Sequence, residues 1–399
     1  MKMTCSGEAA VPRVSVFLPV RNGGAFLDRA LASLKAQTLE DWECVAVDDG
    51  SEDDTWARLQ AWAAADRRFR LARIPHGGIV AALHAALAAS SPTPYIARLD
   101  ADDECHPERL ARQTAFLEAR PEVGLVGCRV RFGGDPLLAH GFKRHVDWLN
   151  SLLTPEAIFL ARFRDSPLAH PSTLFRRSLV VAHGWYADGP FPEDYELWLR
   201  WLDSGARMAK TPETLLTWND PPDRLTRTHD NYAEEAFTRV RTRYLARWLL
   251  RRYALPQAGA AGRVPVTVWG AGRVSRRRAL PLERFRMLYG GAPAGAGSEP
   301  RGQGQTAFFP PHVGGARVAV HPGSNQEGQS VRITAWIDID PRKIGNRVAG
   351  RPVCGREALP PPGAGIILVF LSAWGAGEEA AAWLLARGYR EGKDFLLCS

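Results

Sequence analysis

The segment PYIARLDADDECHPERL, residues Pro94–Leu110, places three aspartates directly behind an apolar run. The run is typical of a buried strand, and Asp100, Asp102 and Asp103 follow where that strand is predicted to end. Like charges this close repel one another, so we expect a cation or strong hydrogen-bond donors beside them. The competing interpretation is an acidic helix start, since Pro107 suits a first helical turn, but that role needs one aspartate rather than three.

Strand-like and helix-like segments alternate over Val14–Val130 around this cluster. Predicted strands at Val14–Val20, Trp42–Val47, 69–74 and 94–100 alternate with helices predicted at Phe26–Gln37, 55–66 and 79–90. Repeated βα units predict a mostly parallel sheet, and such sheets bind ligands outside the carboxyl ends of their strands. Asp48, Asp49 and the aspartates of residues 100–103 all fall at such ends.

The rest of the sequence predicts a long helix and a second α/β domain. Alternation weakens from about 131 to 230, a helix is predicted at Asn231–Leu255, and the segment PQAGAAGR has the composition of a linker. A βα pattern resumes at VPVTVWGAGR and is interrupted by a stretch rich in Gly, Pro, Gln and Ser, much of which is predicted to be disordered. We predict a flexible N-terminus at 1–13, a large α/β domain at 14–230, a helix and linker at 231–262, and a smaller α/β domain at 263–399 with a low-complexity insertion at about 284–330.

The composition is that of a globular protein with excess positive charge. Of 399 residues, 45% are hydrophobic and 24% are charged, and the formal net charge is +8. This charge suits an anionic partner such as a nucleotide, a phospholipid headgroup or a nucleic acid, but arginine-rich usage can equally reflect a GC-rich genome. Six cysteines without a CxxC pair argue against a zinc site and for free thiols. Without an apolar run of membrane-spanning length or a signal peptide, a cytoplasmic location is expected.

The successive segments VSVFLPV, VDDGSEDDT, HGGIVAALHAAL, YIARLDADD and HPERL carry a family resemblance over roughly Val14–Val130. In order and spacing they resemble the motifs of the family-2 glycosyltransferases, which have the GT-A fold. The resemblance implies that the large domain is a GT-A glycosyltransferase domain that binds a nucleotide-diphosphate sugar, with a UDP-sugar favoured. It also implies an acidic motif that binds Mn²⁺ or Mg²⁺.

The resemblance assigns the metal to the acidic cluster. Asp103 would be the most direct metal ligand, Asp102 would lie at the ribose and metal side of the donor, and Asp100 would support them in donor binding. The residue types agree with this assignment, because a divalent cation takes one or two protein carboxylates and completes its shell with substrate phosphates.

The resemblance also places the nucleobase against the loops of the first two strands. Asp49 matches a position that commonly hydrogen-bonds the base, and Pro19 and Arg21 lie where the first loop meets it. Many relatives have an aromatic residue where this chain has Arg21; a guanidinium can also stack on a base, and a solvated loop residue is the alternative. The segment HGG at residues 76–78 replaces the Asn-x-Gly that relatives often have and keeps the glycines.

The segment GPFPEDYELWLRWLDSG, residues 189–205, carries a second pair of acids at a predicted helix start. Sugar transfer needs a base that removes the proton of the acceptor hydroxyl. The resemblance implies that Asp194 is this base, with Glu193 beside it; an ordinary capped helix is the competing interpretation. It also implies that His170, in LAHPSTLFRR, lines the donor or acceptor pocket, although a single histidine is as often structural.

Together these inferences predict a metal-dependent, inverting glycosyltransferase of cell-surface glycan or polysaccharide synthesis. The expected partners are a nucleotide-diphosphate sugar and a glycan or lipid-linked acceptor, without nucleic acid. A processive synthase is disfavoured, because the Gln-x-x-Arg-Trp motif and the membrane helices of such relatives are absent from the sequence. The alternatives are a nucleotidyltransferase that makes the activated sugar and a non-catalytic nucleotide-sugar-binding protein.

Two further patterns have weaker functional interpretations. The predicted long helix carries a stripe of arginines, which are Arg239, Arg243, Arg247 and Arg251. This stripe would either contact the inner face of an anionic membrane as a peripheral surface or be exposed to solvent. The segment VWGAGR offers Gly270 and Gly272 as a phosphate loop, with Asp338 or Asp340 toward a ribose, but the full GxGxxG is absent. The smaller domain is similar to Rossmann-like domains attached to sugar-modifying enzymes; packing or protein contact is an equal alternative.

Overall fold

The computed structural model describes residues 11–135, 139–221, 227, 229–253, 262–288, 319–322, 329–373 and 375–398. The chain divides into two units, of which the first comprises Met1–Ile158, Pro167–Trp201 and Ala206–His229, and the second Phe159–Ser166, Leu202–Gly205 and Asp230–Ser399. Most of the predicted N-terminal segment and of the predicted linker lies outside the described residues. The domain boundaries inferred from the sequence therefore stay a prediction.

The first unit begins with the alternating elements that the sequence predicts. These are β1 (Val14–Val20), α1 (Gly24–Lys35), β2 (Trp42–Asp49), α2 (Thr55–Ala65), β3 (Phe69–Ile74), α3 (Gly78–Ala89), β4 (Tyr95–Arg98), β5 (Glu104–Cys105), α4 (Arg109–Glu118) and β6 (Leu125–Phe132). They are followed by α5 (His140–Ser151), α6 (Pro155–Ala161), β7 (Leu174–Arg176), α7 (Arg177–His183), α8 (Glu193–Asp203) and β8 (Met208–Trp218). Helix α1 buries the apolar positions that its spacing predicts, which are Leu27, Ala30, Leu31 and Leu34.

The strands of the first unit form one sheet in the order β3-β2-β1-β4-β7-β6-β8-β5. Strand β1 lies between β2 and β4 and is parallel to both, with Val20 opposite Asp48 and Phe17 opposite Arg98. Strand β7 runs antiparallel to β4 and β6, so the sheet is mixed on that side. Because chain order reverses on either side of β1, its carboxyl end is a switch point of the kind where α/β sheets bind ligands.

The second unit contains one long helix and a smaller sheet. Its elements are α9 (Glu234–Tyr253), β9 (Arg263–Trp269), α10 (Arg273–Ala279), β10 (Phe285–Leu288), β11 (Ala319–Pro322), β12 (Gln329–Ile337), β13 (Arg347–Val348), β14 (Arg351–Cys354), β15 (Ile366–Val369), α11 (Ala376–Leu385) and β16 (Phe395–Leu397). The sheet has the order β11-β10-β12-β9-β15-β16. The last four strands in this order, β12, β9, β15 and β16, run parallel to one another. The Rossmann-like assignment of this α/β unit stays a prediction.

Several predicted features of the second unit can be compared with the structure. Helix α9 begins three residues later than predicted, and residues 254–255 of the predicted helix are outside the described part. Half of the arginine stripe binds a carboxylate, since Arg247 and Arg251 lie 2.7 and 2.8 Å from Asp203 Oδ2. The described pieces of the stretch at 284–330 include strands β10 and β11, and residues 289–318 and 323–328 lie outside the described residues.

Neither membrane spans nor disulfides are found among the residues that the structure describes. No helix in those ranges combines the length and the apolar character needed to cross a bilayer. The described cysteines are free thiols, as predicted, and are Cys44, Cys105, Cys128, Cys354 and Cys398.

A buried carboxylate in β2 ties three parts of the first sheet together. Glu43 is 4% exposed and accepts hydrogen bonds from Ser15 Oγ (2.6 Å), Arg70 Nη1 (2.9 Å), and Ser91 N and Oγ (2.7 and 2.8 Å). Burial alone would raise the pKa of Glu43, but the bonds from Ser15, Arg70 and Ser91 outweigh it and lower the pKa below its ordinary value of 4.5. Because the pKa of Glu43 is lower in the folded state, its carboxylate stabilises the fold at pH values above 4.5. This contribution is lost as the pH falls from 4.5 through the lowered folded-state pKa.

We predict that Glu43→Gln lowers the free energy of unfolding by about 2 kcal/mol at pH 7, because a charged acceptor of several hydrogen bonds is lost. Urea unfolding followed by tryptophan fluorescence measures this loss, and exposed Glu40→Gln is the matched control. The difference from wild type should shrink below pH 4.5. Equal unfolding midpoints for Glu43→Gln and Glu40→Gln at pH 7 would contradict the prediction.

Candidate functional site

The carboxyl ends of β2, β1 and β4 lie side by side in the first sheet. Arg21 follows β1 directly, Asp49 is the last residue of β2, and Asp100 lies just beyond β4. Parallel strands present their carboxyl ends at one edge, so the sheet brings these three residues to the same edge. Predicted site residues that are distant in sequence are thus neighbours in the fold.

The acidic cluster is assembled as the sequence predicts. One carboxylate oxygen from each of Asp100, Asp102 and Asp103 lies within 4.8 Å of the others. Asp103 is 1% exposed, and its Oδ1 accepts the backbone N–H of Asn219 at 2.8 Å. The Asn219 amide donates in turn to the carbonyl oxygen of Asp102 at 2.6 Å, so the end of β8 holds this loop. Three carboxylates at this spacing offer the hard oxygen ligands that Mg²⁺ and Mn²⁺ take.

A buried arginine supplies positive charge to one member of the cluster. Arg98, at the end of β4, is 1% exposed, and its Nη2 donates to Asp100 Oδ1 at 2.5 Å. Its Nη1 donates to the carbonyl oxygens of Phe17, at 3.3 Å, and of Leu99. Asp100 is therefore engaged in an ion pair with a buried arginine. The sequence prediction did not assign Arg98 a role, although a charge inside an apolar strand was a signal.

The residues predicted to bind the nucleobase, Asp49 and Arg21, are connected through His76 by a series of hydrogen bonds. Asp49 Oδ1 accepts the N–H of Gly77 (2.7 Å), while Oδ2 accepts the N–H of Gly78 (3.0 Å) and contacts His76 Nδ1 (2.9 Å). Arg21 Nη1 lies 3.2 Å from His76 Nε2. Because arginine only donates and a carboxylate only accepts, His76 carries its proton on Nδ1 and accepts from Arg21.

This series of hydrogen bonds limits how many further donors Asp49 can bind and fixes the position of Arg21. Three N–H groups use three of the four lone-pair positions of the Asp49 carboxylate, which leaves room for one further donor. Arg21 is held by His76, a residue that the sequence prediction noted without giving it a role. Pro19 lies within β1 opposite Val47, and its predicted contact with a base stays a prediction.

The second acidic pair opens helix α8. Glu193 is buried, while Asp194 is half-buried and its Oδ1 accepts the backbone N–H of Tyr195 at 2.7 Å. Burial, followed by the negative charge of Glu193, raises the pKa of Asp194 to about 8. Asp194 therefore has the basicity of a group that can exchange a proton near neutral pH.

A buried histidine and tyrosine lie beside this pair. His170 Nδ1 is 3.7 Å from Glu193 Oε1, and His170 Nε2 is 2.5 Å from the Tyr186 hydroxyl. Burial, followed by the positive charge of Arg98, lowers the pKa of His170 well below its ordinary value, so the imidazole is neutral. Helix α8 positions Tyr186, because Arg200 donates to the carbonyl of neighbouring Trp185 at 2.7 Å.

Electrostatics joins the two acidic sites. The charge of Asp100 contributes to raising the pKa of Asp194, and the charge of Arg98 opposes that rise. The same groups act on the hydroxyl of Tyr186, whose pKa burial raises well above its ordinary value. The β4 end and the α8 start therefore form one electrostatic neighbourhood that contains Asp100, Arg98, His170 and Asp194.

Comparisons with known proteins agree with the motifs. The family model described as Glycosyl transferase family 2 matches residues 15–184. The amylovoran biosynthesis glycosyltransferase AmsE of Erwinia amylovora is 32% identical over 198 residues, which cover 48% of this chain and 69% of AmsE. The bifunctional glycosyltransferase pgtA of Dictyostelium discoideum is 29% identical over 201 residues, 43% of this chain, and this chain spans only 26% of that protein.

Among solved structures, S. aureus TarS 1-349 in complex with UDP-GlcNAc is 18% identical, with a TM-score of 0.48 over 60% of this chain and 66% of that chain. The predicted fold class, a GT-A fold with a second, smaller α/β domain, is confirmed. The matched residues 15–184 include the whole acidic cluster and the base-end chain of hydrogen bonds. With this match, and with two thirds of AmsE covered at 32% identity, the chain belongs to the family 2 glycosyltransferases.

Proposed function

We propose that the protein is a metal-dependent, inverting glycosyltransferase that transfers a sugar from a nucleotide-diphosphate sugar to a hydroxyl group. The observation that carries the proposal is an acidic cluster, Asp100, Asp102 and Asp103, one member of which, Asp100, acts electrostatically on a second carboxyl group, Asp194, whose pKa is raised to about 8. The first site suits a diphosphate-bound cation and the second suits a base, which are the two groups that the reaction needs.

Asp102 and Asp103 are the residues that would hold Mg²⁺ or Mn²⁺ in this proposal. When bound, such a cation neutralises the charge that develops on the departing diphosphate. The protein's own contribution is orientation, because Asn219 binds the Asp103 carboxylate and the Asp102 carbonyl. Asp100 stays with Arg98 and supports the donor side of the site.

Asp194 acts as the general base in the proposed mechanism. The acceptor oxygen forms its bond to the anomeric carbon from the face opposite the diphosphate, the bond to the diphosphate oxygen breaks, and the hydroxyl proton moves to Asp194. Its Oδ1 is bound by the N–H of Tyr195, so Oδ2 takes the proton. Glu193 keeps Asp194 basic by charge repulsion, and neutral His170 adds no opposing positive charge.

The substrates follow from the family and from the base end of the site. A nucleotide-diphosphate sugar, with a UDP-sugar favoured, would place its base near Pro19, Arg21 and Asp49. The acceptor would be a glycan or a lipid-linked saccharide, and similarity to AmsE, which is named for amylovoran biosynthesis, supports a role in polysaccharide synthesis. A cytoplasmic protein with peripheral membrane contact would meet both substrates.

Incubation with a panel of nucleotide sugars and Mn²⁺ tests the proposal. Release of a nucleoside diphosphate together with a glycosylated acceptor is the expected result. Release of pyrophosphate from a nucleoside triphosphate and a sugar phosphate would instead show a nucleotidyltransferase, and nucleotide binding without transfer or donor hydrolysis would show a binding protein.

We predict that Asp194→Asn lowers kcat for sugar transfer by about 100-fold or more, the contribution typical of general-base catalysis, and leaves donor affinity unchanged. Steady-state kinetics and donor titration measure the two quantities. The matched control is Asp188→Asn, which changes an exposed aspartate of the same region. More than half of the wild-type kcat in Asp194→Asn would exclude its role as the base.

We also predict a direction for the pH dependence. Transfer needs ionised Asp194, so kcat/KM should rise with pH and level off above the pKa of this group. Glu193→Gln removes the like charge that raises this pKa, so its rising limb should move to lower pH. Measuring kcat/KM against pH for both proteins at a fixed Mn²⁺ concentration tests this shift. If the pH at which kcat/KM rises is unchanged or higher in Glu193→Gln, the prediction is contradicted.

Substitutions in the acidic cluster should show different roles for two of its members, namely metal binding for Asp103 and stability for Asp100. Asp103→Asn should abolish the Mn²⁺-dependent part of donor binding, measured by calorimetry, whereas exposed Asp147→Asn should not change it. Asp100→Asn should lower the unfolding free energy by about 3 kcal/mol, because buried Arg98 loses its partner. Donor binding by Asp103→Asn that still responds fully to Mn²⁺ would refute the metal assignment.

A further inference from the structure

The second unit contains a cavity of about 260 Å³ that is lined largely by arginine. Its walls include Arg263, Arg286, Arg332 and Arg351, with Glu283 and Ser330 between them. The cavity is near the amino ends of β9 and β12, the edge opposite to the predicted phosphate loop at Gly270. None of the family motifs includes these residues.

Strand register explains why the arginines converge. Ser330 of β12 pairs with Arg263 of parallel β9 and with Arg286 of antiparallel β10. Residues directly opposite one another on neighbouring strands project to the same face of a sheet. Arg332 is two residues beyond Ser330 and shares that face, because side chains alternate along a strand. The side chains of Arg263, Arg286 and Arg332 therefore leave the same face of the sheet around Ser330, and Arg286 Nη1 also donates to the carbonyl oxygens of Glu283 and Phe285, at 2.6 and 3.2 Å.

The charge of this cluster, Arg263, Arg286 and Arg332, is not balanced by the acid that lines the cavity. Arg351 Nη2 donates to both carboxylate oxygens of Glu283, at 2.8 and 3.0 Å, and Glu283 Oε1 also accepts the N–H of Ile333 at 2.9 Å. Glu283 therefore neutralises Arg351. Among the described residues, no ion pair joins a carboxylate to any of the three arginines of the cluster. Like charges close together repel one another, so a bound anion would stabilise the cluster.

We propose that this cavity is a second binding site of the protein, which takes a phosphate or diphosphate group. Guanidinium groups bind phosphate oxygens with paired, charge-assisted hydrogen bonds, and four arginines line this one cavity. A volume of about 260 Å³ is below the roughly 300–1,000 Å³ of pockets that enclose whole small-molecule ligands, so the site suits a phosphate-bearing end of a ligand. The ligand is either a free phosphate compound or the headgroup of an anionic phospholipid.

Calorimetric titration of the full chain with inorganic pyrophosphate tests the site directly. The buffer contains EDTA, so that the acidic cluster in the first unit cannot capture pyrophosphate through a metal ion. We expect binding by wild type that is about tenfold or more weaker in the double variant Arg263→Gln/Arg332→Gln. The matched control is Arg347→Gln, which removes an exposed arginine of the same unit outside the cavity and should bind like wild type.

Sedimentation with phosphatidylcholine vesicles, with and without phosphatidic acid, distinguishes the two sources of phosphate. Binding of pyrophosphate in solution supports a free phosphate compound, and binding only to phosphatidic acid vesicles supports a headgroup, provided that the double variant loses it. Failure to bind either probe, or equal binding by wild type and the double variant, would overturn the proposal.

A stability measurement separates ligand binding from a structural role. Without an anion, the double variant should have a thermal midpoint equal to or above that of wild type, because the repulsion is relieved. Pyrophosphate should raise the midpoint of wild type and not that of the double variant. A lower midpoint of the double variant without pyrophosphate would show that the arginines hold the fold together, which would overturn the proposal.

Discussion

The ion pair of buried Arg98 with Asp100 is the interaction on which the rest of the candidate site depends. Burying a guanidinium group costs several kcal/mol unless its charge and its N–H groups are matched. Arg98 offsets part of this cost through Nη1 and Nη2, which donate to Asp100 and to the carbonyl oxygens of Phe17 and Leu99, while its buried Nε has no partner among the described residues. The guanidinium group thereby links β1, through the carbonyl oxygen of Phe17, to Asp100 at the start of the acidic cluster.

The charge of Arg98 also sets the protonation states around it. It adds to burial in keeping His170 neutral, and it opposes the rise in the pKa of Asp194 that burial, Glu193 and Asp100 cause. Removing the guanidinium would change the charge of several groups at once. The proposed base, Asp194, and Asp100 of the acidic cluster are therefore parts of one electrostatic system, although they lie almost a hundred positions apart in the sequence.

The parts of this system differ in how far the sequence predicts them. The acidic cluster is local in sequence, so its proximity follows from a strand end and three aspartates, and β1 has the predicted bounds. The roles of Glu193 and Asp194 are predicted from family resemblance, because nothing local distinguishes the pair from a capped helix. The role of Asp49 is harder to predict, since its carboxylate is largely used by the turn at His76.

Contacts that depend on tertiary structure could not be predicted from the sequence. The bond between His170 and Tyr186 needs helix α8 to hold the chain at Trp185, and no pattern in the sequence predicts that packing. The arginine-lined cavity depends on the register of β10, β12 and β9, which a single sequence leaves open. These features affect the charge state of His170 and bring the arginines together, and both depend on packing that a single sequence does not specify.

The coupling between the acidic cluster and Asp194 is the central claim, and a carboxyl titration by ¹³C NMR tests it most directly. The pKa of Asp194 is measured without metal and then with saturating Mg²⁺, which is diamagnetic. The account predicts a pKa near 8 without metal and a clearly lower pKa with Mg²⁺, because a cation held by Asp102 and Asp103 adds positive charge to the same neighbourhood. An Asp194 pKa that is the same with and without bound Mg²⁺ would contradict the account.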